Sequence, residues 1–336
     1  MNISRFAMRL MILVICGTPT TMACGCATST SDAGISLAAA AIPTPNVTQS
    51  ATLETGGAPS KPNPAVKCPK TAVAIDPGVP CGDLHCLAFA NERSAFAQVL
   101  ARHPLVLGVG ESHAQKGSEL VRSATRRFAD LLLPELCGQS KSIVLEIWLP
   151  RNDCGDKRVE QVDRAQSPAT ATQAKSNKNE YVILGQIAKQ MGIEPSALVP
   201  TCDEYQSILD AGPDSIERML ALIGKRTGDR VVEELRRFPL QMSGPVVIAY
   251  GGALHNDVEP TPDHKDYSFG PSLMSETKGK YIELDLVVRE YVKDTRAWQR
   301  QPWYRAFKKN HDTLKTILFQ SGPNSFALVF PASATP

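Results

Sequence analysis

The sequence predicts an α/β fold: a central, mostly parallel sheet flanked by helices, with a C-terminal antiparallel hairpin on the edge of the sheet. Three observations lead to this expectation. Short apolar runs alternate with longer amphipathic patterns, as strands and helices do in βαβ units. The runs are apolar at consecutive positions, which is typical of parallel strands covered on both faces. The last two runs flank the turn residues Gly322-Pro323-Asn324, as in a hairpin.

The first four elements are expected between residues 91 and 148. A short helix over 91–102 precedes a strand over 105–109, which is apolar throughout. An amphipathic helix follows over 118–137, with Leu120 among its apolar positions. A second strand over 143–148 completes this part of the pattern.

Residues 151–179 are polar and contain few aliphatic side chains. We expect a mobile loop here, over a binding site, because no periodicity is present across this length. Regular elements then resume. The sequence predicts a helix over 181–191, a strand over 197–201, a helix over 215–238, strands over 245–250 and 281–288, and hairpin strands over 314–319 and 326–330.

The N-terminus resembles an export signal. Basic residues accompany a short apolar run that falls below the ~20 residues a membrane-spanning helix needs. Residues 1–23 are therefore interpreted as a signal peptide. The segment Thr21-Met22-Ala23-Cys24-Gly25-Cys26 resembles a bacterial lipoprotein cleavage box, which implies a lipid anchor at Cys24 or Cys26; plain secretion is the alternative. This places the protein outside the cytoplasm, on a bacterial membrane facing the periplasm or the cell surface.

Two segments are expected after the signal. Residues 24–64 are rich in Ala, Thr, Ser and Pro and nearly uncharged, which is typical of a disordered tether. Residues 65–336 are expected to form one α/β domain, since their apolar content suffices for a core.

Cysteine usage fits an oxidising compartment. Of the nine cysteines, the six beyond the tether form an even number, as a disulfide framework requires. Cys81 and Cys86 are close enough to close a local loop, and the other pairings stay open. A zinc site formed by Cys81, His85 and Cys86 is the alternative.

The overall charge argues against one class of partner. A formal net charge of +2, without a concentrated basic run, is not typical of a nucleic-acid-binding protein. The partner is instead expected to be a small molecule or a peptide.

Polar residues follow the strand predicted over 105–109. Gly110-Glu111-Ser112-His113 presents a carboxylate and an imidazole two residues apart. Ligands of open α/β sheets bind at the carboxyl ends of strands. Glu111 and His113 are therefore candidate catalytic residues.

Two further residues are expected at the same rim. Glu146 interrupts an apolar strand, where a carboxylate must be paired or bind a metal; an ion pair with an arginine from a neighbouring helix is the structural alternative. His255 follows the strand over 245–250 and the glycines Gly251 and Gly252, which let the backbone approach a ligand closely. Two histidines and two carboxylates can ligate a metal or perform acid–base chemistry.

These three motifs resemble a known superfamily. Gly-Glu-Ser-His at 110–113, Leu-Glu at 145–146 and Gly-Ala-Leu-His at 252–255 are similar to motifs shared by erythromycin esterases, ChaN-like haem-binding lipoproteins and TIKI/TraB proteins. The segment from Tyr267 to Leu273 is most similar to the ChaN-like branch. The resemblance covers about residues 90 to 290.

The resemblance implies a shared cleft formed by Glu111, His113, Glu146 and His255. It implies haem binding, with Tyr250 and Tyr267 as candidate iron ligands, or binding of a divalent metal by His113, Glu146 and His255. As an alternative it implies hydrolysis of an ester or peptide, in which Glu111 and His113 activate water.

A serine-hydrolase arrangement is a weaker alternative. Ser112, Asp203 and His255 occur in the chain order of an α/β-hydrolase triad, but the second glycine of Gly-x-Ser-x-Gly is replaced by Ala114.

Overall fold

A computed structural model describes residues 76–149, 152–238 and 247–333. All of these residues belong to one compact unit. The predicted signal peptide, the candidate anchor cysteines Cys24 and Cys26, and the rest of the chain up to residue 75, including the predicted tether, lie outside the described residues. Within the described part, no helix is both long enough and apolar enough to span a membrane.

The described residues form nine strands: β1 (Val79–Pro80), β2 (Leu87–Phe89), β3 (Val106–Glu111), β4 (Ser142–Trp148), β5 (Glu194–Leu198), β6 (Val247–Gly252), β7 (Tyr281–Val287), β8 (Thr316–Gly322) and β9 (Ser325–Val329). These strands form one sheet in the order β1-β2-β8-β9-β7-β3-β6-β4-β5. Neighbouring strands from β9 to β5 pair in parallel, while β8 is antiparallel to both β9 and β2, and β1 is antiparallel to β2. The mixed, mostly parallel sheet and its C-terminal hairpin confirm the predicted fold class.

Helices cover both faces of the sheet, so its central strands are buried. Every residue of β3 is buried, which explains why that strand is apolar at consecutive positions. The helices are α1 (Glu92–Leu100), α2 (Ala124–Arg127), α3 (Asp156–Thr170), α4 (Asn177–Gln190), α5 (Cys202–Asp210), α6 (Ser215–Arg237), α7 (Ala253–Asn256), α8 (Gly270–Glu276), α9 (Arg296–Gln299) and α10 (Tyr304–Lys309).

The predicted helix over 118–137 is wrong in its first turns. Ser123 caps α2 by accepting a hydrogen bond from the Arg126 amide, so the helix begins there, and Leu120 is 92% exposed. After α2 the chain continues as a π-helical turn over Phe128–Leu132 and a 3₁₀ turn over Leu133–Leu136.

The loop predicted over 151–179 is also wrong. Most of this segment is the helix α3, and its end is the start of α4. The helix contains few apolar residues because it lies at the surface. Its residue Val162 is fully buried. Its Arg, Gln, Glu and Ala residues have good intrinsic helix propensity, which the search for apolar periodicity did not detect.

The third predicted strand is displaced by a few residues. The sequence predicted it over 197–201, whereas β5 covers Glu194–Leu198. Thr201 instead caps α5, where its side chain and that of Glu204 form a reciprocal capping box.

Two disulfides fix the described chain locally. Cys81 is bonded to Cys86, which closes the local loop that their spacing allows and removes both thiols from the alternative zinc site. Cys154 is bonded to Cys202, which ties the start of α3 to the start of α5. Cys137 is also disulfide-bonded.

Candidate functional site

The candidate site lies where three parallel strands end. β6 lies between β3 and β4, and its last residue Gly252 is paired with Glu111 of β3. Because parallel strands end at the same edge of the sheet, Glu111, Glu146 and the residues after Gly252 meet there. The structure therefore brings together the four residues predicted from the sequence.

Glu111 is a buried carboxylate with four hydrogen-bonding partners. Its Oε2 accepts hydrogen bonds from Thr125 Oγ1 at 2.7 Å and from Tyr250 Oη at 2.9 Å. Its Oε1 accepts a hydrogen bond from Tyr181 Oη at 3.2 Å and lies 3.1 Å from His113 Nδ1. The side chain is 2% exposed, so these partners replace the water that an ionised carboxylate would otherwise need.

His113 connects this buried carboxylate to the cavity. With Nδ1–H donating to Glu111, the lone pair of its other nitrogen, Nε2, is free. Burial by itself lowers the pKa of His113, but the hydrogen bond and charge of Glu111, together with the charge of Glu146, raise that pKa above its ordinary value. His113 is therefore held in one orientation by Glu111, which also makes its imidazole easier to protonate.

Glu146 and His255 form a second carboxylate–imidazole pair. The Gly252 amide donates to Glu146 Oε2 at 2.6 Å, and His255 Nε2 lies 3.8 Å from Glu146 Oε1. His255 Nδ1 lies 2.8 Å from the Tyr267 carbonyl, which fixes the ring with Nε2 towards Glu146. In the part of the chain that the structure describes, Glu146 thus pairs with His255 instead of the helix arginine considered above.

The two glycines at the end of β6 make room for these groups. A Cβ atom on Gly251 would lie 2.3 Å from Glu146 Oε2. A Cβ atom on Gly252 would lie 3.3 Å from His113 Nε2 and 3.6 Å from Glu146 Oε2. Gly252 therefore separates the two pairs at close range, and any larger residue would crowd the space between them.

A cavity of about 700 Å³ opens over this site. That volume is within the usual range for small-molecule pockets. Glu111, His113, Glu146 and His255 all line it, and side chains of α3 contribute to its wall. The segment predicted as a loop over a site does lie over it, but as a helix.

The two tyrosines predicted to bind a cofactor have different positions. Tyr250 is 1% exposed, donates to Glu111 and is not among the described residues that line the cavity. Burial, followed by the charge of Glu111, raises its pKa well above the ordinary value. Tyr267 lines the cavity, and burial together with the charge of Glu217 raises its pKa.

The serine-hydrolase alternative is not supported by the geometry. The Ser112 hydroxyl is buried without a hydrogen-bond partner among the described residues, and His255 faces Glu146. A nucleophilic serine needs a base within hydrogen-bonding distance.

Sequence reasoning missed two layers of the site. Thr125 and Tyr181 both donate to Glu111 from helices, and no local motif marks them. Glu283 and Asp285 of β7 also line the cavity. Burial raises the pKa of Asp285 to about 7, with the charge of Asp257 adding to the effect and a hydrogen bond from Asn256 opposing it. The sequence does carry a signal for Glu283 and Asp285, because two carboxyl side chains at alternate positions of an otherwise apolar strand point to one face of the sheet.

Metal-ligand geometry is incomplete at the candidate site. His113, Glu146 and His255 are suitable ligand types, but they do not form a described group whose ligand atoms all lie within 4.8 Å of one another. Asp153, Cys154 and Cys202 do form such a group, yet the two sulfurs are bonded to each other.

No protein-family model and no curated protein matches the chain. Among solved structures, that of the type III effector HopBA1 aligns with 68% of this chain and 88% of its own, at 9% sequence identity and a TM-score of 0.33. This likeness is too slight to support an inference.

Proposed function

We propose that this protein is a hydrolase of an ester or a peptide, with His113 as the general base. The observation that supports this function best is the Glu111–His113 pair. Its carboxylate is buried beneath the cavity, and its imidazole keeps Nε2 free. This differs from the sequence-based expectation in one respect, because Glu111 positions His113 while His113 alone receives the proton from water.

The proposed reaction proceeds through a tetrahedral intermediate. His113 Nε2 takes a proton from water as the water oxygen attacks the carbonyl carbon. The carbonyl π electrons move onto its oxygen, and Glu111 stabilises the imidazolium through Nδ1–H. When the intermediate collapses, the bond to the leaving group breaks, and a proton held by the Glu146–His255 pair goes to that group. The proton on His113 then returns to the pair through water, so both pairs regain their starting state. The products are a carboxylic acid and an alcohol or amine.

A panel of chromogenic esters and peptides tests this function. We expect the wild-type protein to hydrolyse at least one member, and His113→Ala to lower kcat/KM by about 10²- to 10⁴-fold, the usual contribution of a positioned general base. His311→Ala, at an exposed position, is the matched control. Equal turnover by the wild type and His113→Ala would contradict the proposal.

Divalent-metal binding is a second candidate function. Both imidazoles have Nδ1 occupied, His113 by Glu111 and His255 by the Tyr267 carbonyl. Outer partners of this kind orient histidine ligands in metal sites. We derive no reaction step through a metal, because the ligand atoms are not drawn together. Metal analysis of the purified protein, with His255→Ala as the comparison, tests this candidate.

Haem binding is less well supported than hydrolysis. An iron-ligating tyrosine is deprotonated, whereas burial raises the pKa of both Tyr250 and Tyr267. Only Tyr267 of the two lines the cavity. A haemin titration tests haem binding. A saturable shift of the Soret band with the wild type, and no shift with Tyr267→Phe, would support it.

We propose an extracytoplasmic location with a lipid anchor at Cys24 or Cys26. The two described disulfides support an oxidising compartment, because such bonds are rare in the cytosol. Metabolic labelling with a fatty-acid analogue, compared between the wild type and the Cys24→Ser and Cys26→Ser variants, tests the anchor.

A further inference from the structure

One wall of the cavity is apolar and aromatic. Trp148, Tyr205, Met219 and Ile223 line it on the side of α5 and α6, and α3 contributes Ala169. All five belong to the hydrophobic cluster packed on this face of the sheet or contact it directly. The cluster thus continues to the cavity surface, and Asp163, Gln166 and Thr170 of α3 are polar residues that also line the cavity.

The aromatic side chains give this wall a fixed shape. The rings of Trp148 and Tyr205 meet edge to face, with centroids 5.9 Å apart and an interplanar angle of 80°. Tyr205 is 3% exposed and Met219 is 6% exposed, so packing from behind holds both in place. Trp148 is half-buried and presents its remaining surface at the cavity.

The wall lies close to the proposed chemistry. Trp148 and Glu146 are two residues apart on β4, a separation of about 7 Å along a strand. An apolar group attached to a carbonyl carbon beside His113 and Glu146 would therefore reach this wall.

Charge at the cavity selects against anionic ligands. Its lining includes seven carboxyl side chains but one lysine and one arginine. Burial raises the pKa of three of these carboxyl groups, those of Asp257, Glu283 and Asp285, so these three contribute less negative charge near neutral pH. The other four still outnumber the two cationic side chains. Like charge disfavours an anionic substrate and favours departure of a carboxylate product.

From these observations we propose that the wall is a specificity pocket for an uncharged, apolar acyl group of the substrate. The inference rests on the proposed hydrolase function and narrows its substrate class to esters or amides of medium-chain or aromatic acids. Each methylene buried in such a pocket strengthens transition-state binding by about four-fold.

Chain-length dependence of hydrolysis tests the acyl assignment. For p-nitrophenyl esters, we expect kcat/KM to rise on the order of 100-fold from the acetate to the hexanoate. Ala169→Phe fills the pocket from α3, so the ratio of the hexanoate kcat/KM to the acetate kcat/KM should fall most of the way to one. Ala171→Phe, just beyond α3 at an exposed position, is the matched control.

Binding of the neutral probe N-phenyl-1-naphthylamine separates the pocket from the catalytic proposal. We expect saturable fluorescence enhancement with the wild type, His113→Ala and Ala171→Phe, and a loss of at least ten-fold in affinity with Ala169→Phe. Probe binding without hydrolysis of any ester would overturn the hydrolase function but support the pocket. Ester hydrolysis that is independent of chain length, with equal probe binding by Ala169→Phe, would overturn the pocket.

Discussion

Replacing Glu111 by Gln removes the charge that orients His113 while changing the side-chain shape little. Glu111 Oε2 accepts from Thr125 and Tyr250, whereas Oε1 faces Tyr181 and His113 Nδ1. If the amide oxygen takes the Oε2 position, the amide nitrogen becomes a donor facing His113. His113 Nδ1 must then accept, and its proton moves to Nε2.

The magnitude follows from the hydrogen bonds that change. A hydrogen bond to a charged group contributes about 1.5–3 kcal/mol, and a neutral one about 0.5–1.5 kcal/mol. Two contacts keep an acceptor of reduced strength and two must reorganise, so we expect Glu111→Gln to lower the free energy of unfolding by about 2–4 kcal/mol. The pKa of His113 should fall, because burial then acts without the opposing charge of Glu111.

Urea denaturation and ¹⁵N NMR of the histidine rings measure both effects. Glu233→Gln replaces a carboxylate whose side chain is 59% exposed and paired with Arg230, and it should change stability by less than about 1 kcal/mol. Unchanged stability in Glu111→Gln, with the proton still on His113 Nδ1, would refute the role assigned to Glu111.

Two further predictions concern Gly251 and Asp285. Gly251→Ala places a Cβ atom 2.3 Å from Glu146 Oε2, so it should displace that carboxylate and lower kcat/KM. Urea denaturation should show a loss of about 1–3 kcal/mol in the free energy of unfolding. In the control Gly322→Ala, the new Cβ atom would meet its nearest neighbour at 3.6 Å, so kcat/KM and stability should both stay unchanged. Because the pKa of Asp285 is raised, the folded state holds the proton of this carboxyl group more tightly than the unfolded state does. Asp285 therefore lowers the free energy of unfolding increasingly as the pH rises from about 4 towards 7. Asp285→Asn should therefore stabilise the protein by about 2–4 kcal/mol at pH 8 but not at pH 4, and equal effects at both pH values would contradict the assignment.

The sheet was predictable because its strands are apolar at consecutive positions, and hydrophobic periodicity detects this directly. The helix α3 could not be predicted in the same way. It covers a cavity and exposes most of its surface, so it lacks the apolar periodicity that marks a helix packed on a core. Polar residues at the ends of apolar strands identified Glu111, His113, Glu146 and His255. Their supporting partners are brought in by tertiary packing: Tyr181 lies 70 residues from Glu111 in sequence, so local spacing carries no trace of that contact.

The division of roles between the two carboxylates also required the structure. The sequence placed Glu111 and Glu146 at one rim without distinguishing them. Burial beneath three hydroxyl donors makes Glu111 a support for His113, whereas Glu146 contacts the Gly252 amide and His255.

The pH dependence of kcat/KM, measured beside the NMR titration of His113, tests the central claim most directly. A general base acts in its deprotonated form, so kcat/KM on the best ester should rise with pH and level off above the pKa of His113. That pKa lies above the ordinary 6.5, and the kinetic and NMR midpoints should coincide. A flat profile, or a kinetic midpoint that does not follow the His113 titration, would contradict the account.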